Sequence, residues 1–413
     1  MDGRTATLAM TIGLGVLAGT ARAQPIGETE AIRRALERSR ELQMMLCEEA
    51  SQQRGIDAAA TGFKDPQLRL EDLSTRYFDP DANHQFTLGL RWSPPRIGEL
   101  DAAAQEERVE LWKRKVKTGE VRARIAADAR KAFAGQSLLG ELDELARRRV
   151  ELEEGRLASI EALVALGERT VLDRAKAMRR LAKARRDAAR VAQRRAEGRE
   201  RFEALTGVPG DAALVAVEAP EGDLDLDAIR RAATGHRPEV GLAQQRTILA
   251  DREWAAERFR VFPWISFVEV GFVHETEKTD WGEMRLGIDL PFSRWNLARL
   301  RAAAVRQRAG VLAAAATDEA IDRDVRSALQ KYREALAAVR SLREDRDRQG
   351  RQADEVLQAA RADRTLAADD VADLELADLD ERQVALEARY DLAVAAADLC
   401  AAAGVESFAD LSP

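Results

Sequence analysis

Along most of the chain apolar residues recur at spacings of three and four, the helical period, but in two places the pattern changes to strict alternation. In 263–292, two runs rich in β-branched and aromatic residues flank a polar turn at 275–280. In the second run Met284, Leu286, Ile288, Leu290 and Phe292 alternate with Arg285, Gly287, Asp289 and Pro291, giving one apolar and one polar face. The segment 66–93 repeats the pattern around a turn at 78–83, with Phe86, Leu88, Leu90 and Trp92 on one face and Gln85, Thr87, Gly89 and Arg91 on the other. Both read as β-hairpins. Each strand has about 10 residues, the length of a tilted strand that crosses a bilayer. A lone two-stranded ribbon with an apolar face is not stable, so the pattern asks what the ribbons close against.

The helical part is unusually long. Prolines end each hairpin, and each is followed by a helix-forming run of about 70 residues without internal proline, over 99–166 and 297–362. At 1.5 Å per residue each run is roughly 100 Å long, far more than a globular domain needs. Breaks at 167–170 and 363–366 precede return helices over 171–205 and up to Gly404. On the second return helix Leu376, Leu379, Gln383, Leu386, Tyr390, Ala393, Ala397 and Cys400 form a heptad seam. On the first, Ala182, Ala189, Ala192 and Ala196 predict a seam that a neighbour approaches closely. A shorter helix runs from Glu30 to about Ala60, opening on Glu30-Ala-Ile-Arg-Arg-Ala35.

That opening is nearly repeated by Asp227-Ala-Ile-Arg-Arg-Ala232. The same offset carries Arg40 to Arg237, Pro66 to Pro263, Asp173 to Asp370 and Gly207-Val208 to Gly404-Val405. The expectation is a tandem duplication, with repeats over 24–210 and 211–413, each holding a helix, a hairpin and a long helical hairpin.

Composition narrows the function. Of 413 residues, 33% are charged and 5% aromatic, a balance that suits long helices rather than several compact cores. The net charge of −7 mixes both signs, so no nucleic-acid footprint stands out. Arg4, the apolar run 8–19 and Ala21-Arg22-Ala23 have the three parts of a secretory signal peptide over 1–23, and no cysteine for a lipid anchor follows the cleavage point. Cys47 and Cys400 allow one long-range disulfide, though packed free thiols are the commoner outcome. The histidines are His84, His236 and His274, and none lies at metal-ligand spacing from a cysteine or carboxylate. Without a phosphate loop or nucleophile motif, neither catalysis nor a cofactor nor a metal site is expected.

Four membrane-length strands cannot close a barrel, since the smallest have about 8, so the chain must oligomerise. Strand number permits a dimer or a trimer. Trp92, Trp264 and Trp281 in or beside the strands, with Trp254 and Trp295 just outside, suit an interfacial girdle; the helices otherwise hold only Trp112.

Taken in order, the leader, the duplicated helix-hairpin-helical-hairpin units and the helix breaks resemble the TolC-like outer-membrane factors over nearly all of the mature chain. Asp65-Pro-Gln-Leu-Arg-Leu-Glu71, His236-Arg-Pro-Glu-Val240, the 286–301 passage from strand to helix, and Gly167-Glu-Arg-Thr-Val-Leu-Asp173 resemble that family's elements. The resemblance implies a mainly α fold with β: a homotrimer whose two hairpins per chain build a shared 12-stranded transmembrane barrel above an α-helical periplasmic tunnel. It also implies an outer-membrane exit duct that receives cargo from an inner-membrane efflux pump through a periplasmic adaptor. Phe86, Leu88, Leu90, Trp92, Met284, Leu286, Ile288 and Leu290 would then meet outer-membrane lipid. Tip residues Gly167, Arg169, Thr170, Asp173, Arg364 and Thr365 would meet the adaptor, although Arg364 stands where the family motif has glycine. Asp369, Asp370 and Asp373 follow the second tip and would ring the tunnel entrance, unless they serve simply as acids at a helix N-terminus. The motifs resemble those of the heavy-metal efflux branch, while drug export and protein secretion use the same architecture. The rival is an exported coiled-coil scaffold, against which two sticky apolar ribbons count.

Overall fold

The computed structural model describes residues 25–60, 65–71, 85–210, 212–215, 222–275, 280–290, 297–350, 355, 358 and 368–411. The expected leader at 1–23 lies outside them, as do 78–83, 276–279 and 363–367. The helices are α1 (Glu28–Arg38), α2 (Arg40–Ala60), α3 (Glu99–Ala165), α4 (Val171–Thr206), α5 (Leu226–His236), α6 (Pro238–Phe259), α7 (Leu297–Asp345) and α8 (Ala368–Ala403). The strands are β1 (Gln67–Glu71), β2 (Gln85–Trp92), β3 (Trp264–Glu275) and β4 (Trp281–Asp289). Among the described residues no helix is long and apolar enough to cross a membrane.

The helix α3 has 67 residues and is the axis of the structure, packing against α2, α4, α6 and α8 in turn along its length. The helix α7 packs against α5, α6 and α8. Two cores form where the short helices α1 and α5 cross the long ones. Around α5, Ile229, Ala233, Val325, Leu329, Tyr332, Leu336, Leu392, Leu399 and Ala403 pack together, with Phe408 tilted against Tyr332 at a centroid distance of 5.5 Å. Around α1, Ala31 packs with Phe133, Phe202 and Val208, the two rings 6.3 Å apart. Buried Arg130 joins the two regions by donating to Glu28 Oε1 at 2.6 Å and to the Glu406 carbonyl. Gly207 and Gly404 end α4 and α8 with φ of 69° and 70°, the left-handed conformation that a Cβ disfavours.

Several expectations meet a different outcome. The helix expected from Glu30 to about Ala60 is broken at Ser39, whose ψ of 108° is extended. Its hydroxyl accepts from the Leu42 N–H at 3.2 Å, so the side chain caps a new helix instead of continuing the old one. Before α6 the same job falls to Pro238, which disfavours helical backbone at Arg237. Within the run expected over 297–362, α7 extends to Asp345 and widens into a π turn at Arg346–Gly350, in the charged stretch Arg-Asp-Arg-Gln-Gly; beyond it only 355 and 358, both helical, are described. On α4 the residues buried against α3 are Ala177, Leu181, Ala184 and Phe202, not the alanines 182, 189, 192 and 196, which are exposed. Leu181 and Phe202 bury more apolar area than any alanine on the other face, and Arg195 reaching Asp143 at 2.6 Å sets the same face inward. The α8 seam buries Leu376, Leu379, Leu386, Ala397 and Cys400, but Gln383 and Tyr390 are exposed.

Cys47 and Cys400 are both free. Cys47 is exposed; Cys400 is buried, and desolvation pushes its thiol up to about 11. At pH 7.5 a maleimide should therefore label one site per folded chain, Cys47, and a second only on unfolding. Two equivalents on the native protein would contradict this packing.

Candidate functional site

The four strands form one antiparallel sheet in the order β1-β2-β3-β4. Hence the two sequence hairpins are joined through β2 and β3. Gly89 faces Gly271 across that junction, and Leu90 faces Val270. On one face Leu68, Leu90, Val270 and Met284 stand in a row across all four strands, as do Leu70, Leu88 and Phe272 across three. Val268 with Leu286, and Ile265 with Ile288, extend the surface toward the helices. Most of these side chains lie open, Met284 at 71% and Val270 at 59%. Of the expected outward residues, Leu88, Leu90, Met284, Leu286, Ile288 and Leu290 are exposed, Trp92 is half-buried opposite Val268, and the Phe86 side chain lies outside the described set.

Leu68, Leu70, Ile265, Val270 and Phe272 complete this face and were not in the expected set. Their signal was present but scrambled in β3, where a bulge between Ile265 and Phe267 inserts Ser266. The bulge lets Ile265 and Val268 share a face despite an odd spacing, so a strict period of two misassigns one end of the strand.

The opposite face is polar and largely covered. Glu269 is 3% exposed and takes Arg69 at 3.0 Å, reaching across β2 from β1, and Arg285 at 3.9 Å from β4. Arg285 also meets Glu283 at 2.5 Å, and the Arg91 guanidinium stacks 3.8 Å over Phe267. Thr87 and Val273 are buried on this side. A sheet with apolar side chains outward and paired charges inward is inverted relative to a soluble sheet. That inversion is the pattern of a transmembrane barrel wall. Among the described residues β1 and β4 have no further strand partner, leaving two open edges.

At the far end of the helices, α3 and α4 meet in the turn that holds the first predicted tip. Gly167 has φ 80°, and Gly167 and Glu168 donate back to the Val164 and Leu163 carbonyls, closing α3. Thr170 caps α4: its Oγ1 accepts from the Asp173 N–H at 3.2 Å, while Asp173 Oδ2 accepts from the Thr170 N–H at 3.1 Å and hydroxyl at 2.7 Å. The motif Gly167-Glu-Arg-Thr170 through Asp173 is thus a turn-and-cap unit that gives the tip a defined shape. It displays Leu166, Val171 and Leu172, each more than 60% exposed, and these apolar residues escaped the motif-based reading. Arg169 lies in the same turn.

The second tip is only partly described. Arg364 and Thr365 lie outside the described residues; Asp369 and Asp370 open α8, and their side chains are outside the described set. Asp373 does not stand free as an inward carboxylate. Arg156 of α3, its side chain 7% exposed, grips it with bonds of 2.5 and 3.1 Å. One heptad further on, Asp380 meets Arg149 at 2.7 Å. The two long helical hairpins are thereby pinned to each other near the tips. Among the described residues no group of His, Cys, Asp and Glu could hold a metal ion.

No protein-family model and no curated protein matches the sequence. Solved structures do match. CusC superposes with a TM-score of 0.68 at 20% identity, over 95% of each chain. The outer membrane protein VceC of Vibrio cholerae gives 0.67 at 17% identity, over 92% of this chain and 96% of that one. The open-state MtrE outer membrane channel of Neisseria gonorrhoeae gives 0.67 at 18%, over 92% and 89%. The chain has the fold of the TolC-like outer-membrane channels, across nearly its whole length.

The tip cap yields a pH-dependent prediction. Thr170's hydroxyl and N–H hold the Asp173 carboxyl below its ordinary range. The capping bonds are therefore complete above the ordinary carboxylate pKa and are lost as pH falls through the lowered one. Thr170→Ala should cost the tip about 1 kcal/mol, raise the Asp173 titration toward its ordinary value, and speed amide exchange in the first turn of α4 at pH 7. Unchanged exchange would show that the cap does not hold the tip.

Proposed function

We propose that this protein is a passive exit duct, the outer-membrane channel of a tripartite efflux system. The observation that carries it is the inverted sheet, apolar outward across four strands and charged inward, mounted on long helical hairpins of which α3 alone is roughly 100 Å long. Its open edges at β1 and β4 supply the reason for assembly. A homotrimer joins them edge to edge into twelve strands, and the helices continue below as a periplasmic tunnel. The similarity to channel structures supports this reading against a soluble coiled-coil scaffold, which has no use for an exposed apolar sheet face. We take the chain as two structural repeats, 24–210 and 211–413, behind a leader at 1–23.

In this reading a periplasmic adaptor, carrying cargo from an inner-membrane pump, docks on the tips. At the first tip the rigid turn at Gly167 and Thr170 presents Leu166, Val171 and Leu172, flanked by Arg169 and Asp173. Arg364 and Thr365 take the equivalent part at the second tip. Asp369, Asp370 and Asp373 line the entrance, with the Arg156 grip on Asp373 holding the hairpins together until the tip dilates. The duct supplies neither energy nor cargo recognition; pump and adaptor decide whether metal cations, drugs or proteins pass.

The decisive measurement is subunit stoichiometry in detergent, by light scattering corrected for bound detergent, followed by planar-bilayer conductance. Three subunits and discrete conductance steps are expected; a detergent-independent soluble monomer or dimer would return the protein to the scaffold class. In the same bilayers, Asp370→Lys with Asp373→Lys should lower cation preference and raise leak. Wild-type selectivity and conductance in that variant would remove these aspartates from the entrance.

A further inference from the structure

Where the two helical hairpins meet, α8 lies at the bottom of a trough between α3 and α7. It packs against both, and all three helices line an open cavity of about 950 Å³. Leu145 of α3, Val339 and Leu342 of α7, and Leu379 and Leu386 of α8 make an apolar floor. Val339, Leu379 and Leu386 are buried, while Leu145 and Leu342 are half-buried. Leu379 and Leu386 lie two helical turns apart, so the floor is roughly 10 Å long.

The rim is basic. Arg148, Arg343, Arg346, Arg382 and Arg389 line the cavity against Glu141, Glu144 and Asp347. Three of these arginines come from three different helices and gather at the end nearer the tips. Arg149 of α3 meets Asp380 of α8 at 2.7 Å, which brings their neighbours Arg148 and Arg382 to one level. Arg346 of the π turn shares with Arg382 the adjoining cleft between α7 and α8. Carboxylates on their own helices steady two of the three, Glu151 taking Arg148 at 3.0 Å and Asp378 taking Arg382 at 2.9 Å. A guanidinium has five N–H donors, so these bonds leave others for a ligand. Arg346 opens a widened turn of a kind often found at functional sites. The offset that relates Asp173 to Asp370 carries this turn onto 149–153, which lie within unbroken α3. The widening therefore belongs to this wall of the trough and is not shared by both long helices.

We propose that the trough binds an amphipathic organic anion, its apolar body on the leucine floor and its carboxylate or sulfonate among Arg148, Arg346 and Arg382. The volume is that of a small-molecule site, and charged donors gathered at one end of an apolar floor fix the orientation of such a ligand. A ligand so placed touches both helical hairpins and adds a link between them beside Arg149 and Asp380. The site lies within one chain and goes beyond the duct reading without depending on it. A second copy filling the trough instead is told apart by the test.

The probe is 2-naphthalenesulfonate, titrated calorimetrically into the full-length protein in a nonionic detergent, with a matched detergent blank and uncharged 2-naphthalenemethanol as the comparison. Saturable binding of one sulfonate per chain is the expected result. Affinity should fall roughly tenfold or more for the alcohol, and equally for the sulfonate with the triple variant Arg148→Gln, Arg346→Gln and Arg382→Gln. The exposed pairs lost in that variant contribute little to stability, so its melting temperature should stay near wild type. Leu342→Glu, which puts a carboxylate on the floor, should abolish binding. Equal affinity for the alcohol, or undiminished binding in either variant, would overturn the anion site. Absence of saturable binding would overturn it as well, and maleimide reaction of Leu342→Cys in a Cys47→Ser background then shows the reason. No reaction in the native protein would mean a second copy covers the trough; ready reaction would mean the trough is open but has no affinity.

Discussion

Every strand of the sheet leaves something unmatched that a single chain cannot supply. Backbone pairing runs from β1 to β4 but, among the described residues, stops at both edges, and most of the apolar side lies open. In water both features are costly, the first as unpaired polar backbone and the second as open apolar area. In hydrocarbon the apolar side is at home, but the edges become worse, because no water is there to satisfy them. Closure with further copies and insertion in a bilayer answer both demands together. The rest of the architecture follows from having to hold such a sheet at one end of long helices.

Charge on the inward side helps keep the sheet in one arrangement. Glu269 sits between arginines from β1 and β4, so the two sequence hairpins are tied through one buried carboxylate as well as through the β2–β3 ladder. Arg69 reaches it by crossing β2 at Gly89, whose missing side chain leaves Glu269 Oε1 3.4 Å from where a Cβ would be. Such a network costs desolvation and returns mainly specificity of register. It also lines the inner wall with fixed charge, as a water-filled barrel requires.

The helical end solves a different problem, that of a long thin structure with few large side chains. Among the described residues the large buried rings of Phe133, Phe202 and Tyr332 cluster where α1 and α5 cross the long helices. Along the rest of α3, smaller buried residues such as Leu138 and Ile160 are joined by spaced polar links, Asp143 to Arg195, Arg149 to Asp380 and Arg156 to Asp373. The Arg149–Asp380 link is half-exposed and individually weak, whereas Asp143 and Arg156 are buried members of their pairs.

Much of this was legible in the chain itself. The alternation in 85–92 and 281–289 determined two strands and which side of each is apolar, because a strand's side chains switch faces at every residue whatever it pairs with. Proline-free helical runs determined the long helices, and the glycine and threonine at 167 and 170 determined the tip turn, since both act through local backbone geometry. The decisions that only the tertiary structure made all concern surfaces meeting across distance. They include the pairing of β2 with β3, the bulge at Ser266 that restores the outward row in β3, and the face of α4 that turns toward α3. Asp373 shows the difference most plainly. Its sequence neighbours mark it as an acid near a helix start, but its partner Arg156 lies on another helix far along the chain. Periodicity reports which side of an element is apolar or charged; it carries no record of what stands opposite, and that is settled only when the whole chain packs.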